Sequence, residues 1–124
     1  MNRPSTISRR RALLDEAVEI IEREFAQDLD LDHLARQVAT SRRQLQRVFN
    51  EIGGTSFRTY LARVRMRKAA EMLQANTAPV RDVAQRVGYR QPAQFAKAFR
   101  RHHGLAPSAF RDTRRFRAAA VLAA

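Results

Sequence analysis

The sequence predicts an all-α fold in which two helix-turn-helix subdomains are joined by a long linker helix, about seven helices in total. Apolar residues recur at helical spacing along most of the chain, and a pattern of short helix, turn and longer basic helix occurs twice. Residues 56–75, between the two copies, have a helical pattern of their own. With 124 residues, 44% of them apolar, the chain can bury a core but cannot hold a separate catalytic lobe.

The first two helices are predicted from their apolar spacing. Residues 8–26 carry apolar side chains at i, i+3, i+4, i+7 and i+11, which form one stripe of an amphipathic helix. The stripe consists of Leu14, Ala17, Val18, Ile21 and Phe25. Residues 31–38 repeat this spacing in a shorter helix. We therefore expect both helices to pack against one core.

The third helix is predicted from Ser41 to Ile52 and contains the stretch SRRQLQRVF. Ser41 and Gln44 have the spacing of an S-x-x-Q capping box at its N-terminus. Its inward stripe consists of Leu45, Val48, Phe49 and Ile52. At about 100° per residue, the polar residues fall on the opposite face or in the exposed first turn. These polar residues are Arg42, Arg43, Gln46, Arg47 and Asn50.

The second half of the chain begins with the linker helix over residues 56–75, a rod of ~30 Å that can fix the separation of two subdomains. A short helix follows over residues 80–87, then a turn over residues 88–90 and a second basic helix with Pro92 in its first turn. The inward residues of this helix are predicted to be Phe95, Ala98, Phe99 and His102. The outward residues are Ala93, Ala96, Lys97, Arg100 and, at the edge, Arg101.

The two basic helices belong to one repeated unit. Before the turn, apolar residues recur after 49 residues, in the pairs Leu34 and Val83, Ala35 and Ala84, and Val38 and Val87. After the turn they recur after 50 residues, in the pairs Leu45 and Phe95, Phe49 and Phe99, and Gly54 and Gly104. The second turn is therefore one residue longer. We expect subdomains at residues 9–54 and 77–112, a linker at 55–76, and tails at 1–8 and 113–124.

Charge is distributed unevenly along the chain. The first 32 residues contain five arginines and eight acids, a net charge of −3. Residues 33–117 contain nineteen Lys or Arg and four acids, a net charge of +15. This asymmetry predicts that the later part of the chain binds a polyanion. The alternative is a basic surface that serves solubility alone.

The outward residues of both basic helices suit double-stranded DNA. Arg pairs with guanine and Gln or Asn with adenine, Ala can meet a thymine methyl group, and Lys and Arg neutralise phosphates. A major groove admits one helix presented in this way. The second helix has fewer hydrogen-bonding groups on its outward face. We therefore expect the first to discriminate sequence and the second to depend more on phosphates and DNA shape.

The stretch GYRQPAQFAKAFRRHHGLAPSAFR resembles the C-terminal signature of the AraC/XylS family of bacterial transcription regulators, G-x-x-P-x-x-(Tyr or Phe)-Arg after a helix-turn-helix. The signature residues are Gly104, Pro107, Phe110 and Arg111. The resemblance covers about residues 10–112 and includes LARQVATSRRQLQRVFNEIGGTSFRTYL and RMRKAAEML. It implies two helix-turn-helix subdomains that bind consecutive major grooves on one face of bent DNA. It also implies activation of transcription through contact with RNA polymerase.

The resemblance assigns groove-facing positions in both units. In the first unit they are Arg42, Arg43, Gln46, Arg47 and Asn50, and in the second Gln91, Ala93, Gln94, Lys97, Arg100 and Arg101. Pro92 and Ala93 depart from the family pattern, because many relatives carry Ser or another polar residue nearby. This weakens the expectation of base reading by the second helix. Many relatives also carry a ligand-binding or dimerisation domain, so the chain resembles either the single-domain members or a DNA-binding fragment of a longer, ligand-responsive regulator.

Other functions are less well supported. A small basic nuclease needs convergent acids or a phosphate loop, so neither an enzyme nor a catalytic residue is predicted. Three histidines and no cysteine provide few ligands, and no metal or cofactor is expected. No apolar run approaches the ~20 residues of a membrane span, so we expect a cytoplasmic protein. The family resemblance implies that it is located at the bacterial nucleoid. Sequence-blind DNA packaging or membrane-surface binding is a further alternative, against which Gln46 and Asn50 argue, since electrostatic binding needs no amides.

Both ends of the chain allow more than one interpretation. Arg9 to Arg11 form either an arm that reaches a minor groove or a solvated tail. The segment from Thr113 onward extends a helix, meets a partner or is disordered. Two tandem units on one chain predict binding of an asymmetric DNA site as a monomer.

Overall fold

The structure, a computed structural model, describes residues 4–113, with side chains from residue 6 onward. Its helices are α1 (Pro4–Glu24), α2 (Leu31–Gln37), α3 (Arg42–Glu51), α4 (Phe57–Ala75), α5 (Val80–Arg86) and α6 (Pro92–His103). Residues 107–113 are also helical. No strand occurs in this part of the chain, and the predicted all-α class is confirmed.

The helix boundaries agree with the predicted ones to within a few residues, with the largest difference at the N-terminus. The first helix was expected from residue 8, but α1 begins at Pro4. Arg9 to Arg11 therefore lie in a helix, not in a tail or an extended arm. Residues 1–3 and 114–124, which include most of the predicted C-terminal tail, lie outside the described residues.

The chain forms two compact units, and the boundary between them falls after Val64, within α4. The first unit packs α1, α2, α3 and the first part of α4 around one apolar core. Phe49 lies at its centre, with ring centroids 6.0 Å from Phe57 and 6.1 Å from Tyr60. Other fully buried residues of this core include Ala17, Ile21, Leu34 and Leu45. Because α3 contributes Leu45, Val48 and Phe49 to the core, its opposite face must point outward.

The second unit packs the remainder of α4 with α5, α6 and the helical residues 107–113. Phe99 is fully buried, and its ring centroid lies 5.8 Å from that of Phe95 and 5.3 Å from that of Phe110. Met66, Ala69 and Leu73 of α4 are also buried. The second unit thus has the same arrangement of helices as the first, a helix-turn-helix packed against two further helical segments.

The repeat extends beyond the helix-turn-helix itself. Phe49 contacts Tyr60, and Phe99 contacts Phe110, each partner lying 11 residues later in the chain. Three buried residues of α1, Leu14, Ala17 and Ile21, have buried counterparts 52 residues later in α4, namely Met66, Ala69 and Leu73. The long helix α4 therefore serves as the last helix of the first unit and the first helix of the second.

The turn before α3 is closed by a Schellman motif. The Thr40 N–H donates to the Ala35 carbonyl at 2.9 Å, and the Ala39 N–H donates to the Arg36 carbonyl at 3.2 Å. Ala39 takes the left-handed conformation of this motif, with φ 55°. Among the described residues it is the one non-glycine with positive φ.

The turn before α6 has the same motif with a different residue at its centre. The Tyr89 N–H donates to the Ala84 carbonyl at 2.9 Å, and the Gly88 N–H donates to the Gln85 carbonyl at 3.1 Å. Gly88 takes the left-handed position, with φ 97°. Residues 87–91 separate α5 from α6, whereas residues 38–41 separate α2 from α3, which confirms the predicted extra residue.

The prediction that His102 faces inward is wrong. His102 is exposed, whereas His103 is half-buried, with its ring centroid 4.4 Å from that of Phe99. His103 Nε2 also lies 3.1 Å from the Met66 carbonyl oxygen. The reason is helical geometry, because Phe95, Phe99 and His103 follow one another at i+4 steps along the same face.

Candidate nucleic-acid interface

The helix α3 is held at its N-terminus by side-chain capping. Ser41 Oγ accepts a hydrogen bond from the Gln44 N–H at 3.1 Å, as the predicted capping box requires. The reciprocal half of the box differs from the prediction. Gln44 Oε1 accepts from the Thr40 hydroxyl at 3.0 Å, so the amide side chain is held by the preceding turn. Both bonds stabilise the first turn of α3.

All five predicted groove-facing residues of the first unit are exposed on α3: Arg42, Arg43, Gln46, Arg47 and Asn50. Two of them form ion pairs. Arg42 lies 3.6 Å from Asp32 of α2, and Arg47 Nε lies 3.7 Å from Glu51 on the next turn of α3. Such exposed pairs are weak and exchange readily with other anions. The outer face of α3 therefore presents cationic and amide groups that a nucleic acid can reach.

Two residues beside this face, Arg10 and Glu51, were not predicted to contact each other. Arg10 of α1 donates to Glu51 Oε2 at 2.5 Å, although the residues are 41 positions apart. This hydrogen bond, followed by the positive charges of Arg10 and Arg47, holds the pKa of the Glu51 carboxyl below its ordinary value. Glu51 is thus a carboxylate at neutral pH, placed between an arginine of α1 and an arginine of α3.

A groove of about 650 Å³ lies between α1 and α3, and we call it the α1–α3 groove. Arg9 and Arg10 line it from α1, and Gln44 and Arg47 line it from α3. Glu16 and Glu51 are also part of its wall. The basic surface of the first unit therefore continues from α3 onto the first turns of α1, where Arg9 to Arg11 were expected to form either an arm or a solvated tail.

The predicted set of the second unit is also exposed: Gln91, Ala93, Gln94, Lys97, Arg100 and Arg101. No side chain caps the N-terminus of α6, which begins instead with Pro92 at its first position. The helix ends at Gly104 in the left-handed conformation, and its last turn carries Arg100 and Arg101. Cations at this end interact favourably with the helix dipole.

The signature residues after α6 have structural roles within the second unit. Pro107 is buried, and the Phe110 ring packs edge-on against Phe99, with an interplanar angle of 76°. Arg111 Nε donates to the Leu73 carbonyl at 3.2 Å and so satisfies one of the last carbonyls of α4. These contacts tie the end of the described chain to the helices that position α6.

The described residues offer little for other kinds of site. No three His, Asp or Glu side chains among residues 6–113 come together as a metal site would need. Within the described residues, no helix is long and apolar enough to cross a membrane. The exposed Arg, Lys, Gln and Asn groups of α3 and α6 are suited to phosphate and base-edge contacts.

The comparison with known families agrees with the duplicated architecture. A family model described as a helix-turn-helix domain matches residues 34–113. The chain is 32% identical over 100 residues to the HTH-type transcriptional activator AarP of Providencia stuartii. That match covers 81% of this chain and 74% of the relative.

Two solved structures have the same fold. One is an AraC-type regulator from Chromobacterium violaceum, with a TM-score of 0.80 and 29% identity, covering 84% of this chain and 93% of that one. The other is the DNA-binding domain of AdpA in complex with a target DNA, with a TM-score of 0.80 and 31% identity, covering 84% and 94%. This chain spans between 13% and 36% of the length of three other curated regulators that it matches. The family match over both helix-turn-helix units, together with these relatives, shows that the chain belongs to the AraC-type helix-turn-helix family of transcription regulators.

Proposed function

We propose that this chain binds double-stranded DNA sequence-specifically, as a monomer, and inserts α3 and α6 into consecutive major grooves. The observation that carries the proposal is the outer face of α3, where Arg43, Gln46 and Asn50 stand exposed opposite the buried Leu45 and Phe49. The family membership of the chain supports the same conclusion. The family consists of transcription regulators, and the proposal includes no catalytic step.

The two helices have different roles in the proposal. Gln46 and Asn50 carry amides that can pair with adenine, and Arg43 and Arg47 can pair with guanine. On α6 the corresponding outer face includes Ala93 and carries one amide, Gln94, where that of α3 carries two. The helix α3 therefore reads most of the sequence, while α6 contacts phosphates and responds to DNA shape.

The relatives support a proposal about the biological role. AarP is named a transcriptional activator, and the DNA-binding domain of AdpA was solved with a target DNA. We propose that this chain likewise activates transcription, by contact with RNA polymerase, at the bacterial nucleoid. If it is the DNA-binding part of a longer, ligand-responsive regulator, the DNA surface proposed for α3 and α6 is the same.

Selection of bound sequences from a random DNA pool tests the proposal directly. We expect an asymmetric site with two conserved blocks whose centres lie about 10 bp apart, since consecutive major grooves are one helical turn apart. Sedimentation or native mass spectrometry should find one chain on the minimal site. A pool without enrichment would favour sequence-blind packaging, and two chains on the minimal site would contradict the monomer.

A matched pair of variants locates the reading surface. Gln46→Ala should weaken binding to the selected site and relax preference at one or two base pairs, at a cost of about 1 to 3 kcal/mol. Gln74→Ala removes the same amide from an exposed position of α4 and serves as the control. Equal behaviour of the two variants would contradict the assignment of α3 as the reading helix.

A further inference from the structure

Glu51 is an acid at the end of an otherwise basic recognition helix, and the stability of α3 does not explain it. A negative charge in the last turn of a helix opposes the helix dipole. The order of the pair, Arg47 before Glu51, is the less favourable one for i and i+4 ion pairs. The equivalent position of the second unit, 50 residues later, is Arg101. The helix-turn-helix fold therefore accepts a cation there.

The position of Glu51 is set by Arg10. The Arg10 side chain is 23% exposed and bonds directly to Glu51 Oε2, so α1 anchors the carboxylate beside α3. The other oxygen, Oε1, lies 3.7 Å from Arg47 Nε, and the Arg47 side chain is 65% exposed. Glu51 is thus firmly held on one side and loosely paired with a groove-facing arginine on the other.

We propose that Glu51 is a specificity-determining residue that competes with DNA phosphates for Arg47. This inference rests on the proposed function of α3. In the free protein, Glu51 restrains Arg47 against α3. A DNA phosphate that takes Arg47 must displace this carboxylate, and it must also approach the negative charge that remains beside it.

The effect of Glu51 differs between target and random DNA. Binding to random sequence is almost entirely electrostatic. A carboxylate beside the phosphates therefore weakens the contacts on which all of this affinity depends. At a target site, Arg47 contacts a base instead of a phosphate. This contact and those of Gln46 and Asn50 add affinity that does not depend on salt in this way. Glu51 therefore lowers affinity for random DNA more than affinity for the target, and it raises the ratio between them.

The test compares Glu51→Gln with Glu16→Gln in the full chain. Both changes remove one negative charge from the wall of the α1–α3 groove, but no ion pair within the described residues joins Glu16 to Arg47. The glutamine at position 51 keeps an oxygen that can accept from Arg10, so the fold is preserved. Each variant is titrated with the selected site and with a random duplex of equal length, over a series of salt concentrations.

We expect Glu51→Gln to tighten binding to random duplex ~10-fold and to the selected site ~3-fold, with the salt slope on random duplex steeper by about one phosphate contact. Glu16→Gln should change both affinities by no more than ~2-fold, because an exposed charge that is not paired with a groove-facing arginine is largely screened. Equal effects of the two variants would mean that only net charge matters and would overturn the proposal.

A double-mutant cycle shows whether Glu51 acts through Arg47. In an Arg47→Ala background, Glu51→Gln should gain no more affinity than Glu16→Gln does. A gain in affinity that persists without Arg47 would contradict the proposal that Glu51 competes with DNA phosphates for Arg47. Failure of the proposed function would look different, because the unmodified chain would then show no preference for any selected site.

Discussion

The two helix-turn-helix units have similar cores and differ in the parts that contact solvent. Phe49 and Phe99 occupy equivalent buried positions, and each packs against an aromatic ring 11 residues later. The turns differ, since the left-handed residue is Ala39 in the first unit and Gly88 in the second. The caps differ as well, because α3 has a bonded Ser41, whereas α6 begins with Pro92 and has no side-chain cap.

This difference separates what the fold requires from what each unit does. Both units keep the buried aromatic residue and the Schellman turn, which fix the direction in which the basic helix leaves the turn. Neither the capping residue nor the turn glycine is common to both. The outer faces diverge further, with Arg43, Gln46 and Glu51 in the first unit replaced by Ala93, Ala96 and Arg101 in the second. We infer that the outer faces give the two units their different roles on DNA.

The largest expected effect tests the equivalence of the two cores. Phe99→Ala should reduce the free energy of unfolding by about 3 to 5 kcal/mol, because it leaves a cavity among Phe95, His103 and Phe110. Phe49→Ala is the matched variant in the first unit and should cost a similar amount. Urea denaturation followed by circular dichroism measures both. A cost below about 1 kcal/mol for one of them would break the equivalence.

The next-largest expected effect tests whether α3 and α6 have different roles in DNA binding. Arg47→Ala should cost about 1 to 3 kcal/mol on the selected site and less on random duplex, because a base contact is lost. Lys97→Ala, at the equivalent position of α6, should weaken all sequences alike and reduce the salt slope by about one. Fluorescence anisotropy titrations at several salt concentrations separate these outcomes. Sequence-dependent loss at Lys97 with uniform loss at Arg47 would reverse the assignment.

Local sequence signals predicted much of this architecture. The apolar spacing of α3 and the Ser41 cap lie within one short segment, and the structure has both. The extra residue of the second turn also followed from aligning two stretches of the chain. The inward face of α6 was predicted from the same spacing, and it failed at one residue, His102, where the last turn of the helix continues the stripe through His103.

Long-range contacts could not be predicted in this way. The bond between Arg10 and Glu51 joins residues 41 positions apart, and that between Arg111 and the Leu73 carbonyl joins residues 38 positions apart. Nothing in the local sequence around either arginine indicates which partner it contacts. Their partners depend on how helices pack, which periodicity alone does not determine. The position of Arg9 and Arg10 beside α3 was not predicted for the same reason.

A smaller effect tests the turn of the second unit. Gly88→Ala should destabilise the protein by roughly 1 to 2 kcal/mol, because φ 97° is unfavourable for a residue with a Cβ atom. Thermal denaturation measures the change. Hydrogen exchange should locate it in α5 and α6, since the altered turn joins these helices. Unchanged stability would mean that the second turn relaxes toward the φ of 55° that Ala39 accepts in the first.

The smallest effect is the reciprocal change in the first unit. Ala39→Gly removes the strain of a left-handed alanine, roughly 1 to 2 kcal/mol, but adds backbone entropy of about 0.5 to 1 kcal/mol to the unfolded chain. The net expectation is a gain of about 0.5 kcal/mol in the free energy of unfolding, measured by urea denaturation. Ala12→Gly, at an exposed position inside α1, is the control and should instead lose about 1 kcal/mol. If both glycines destabilise equally, Ala39 carries no strain, and the two turns differ in sequence without differing in energy.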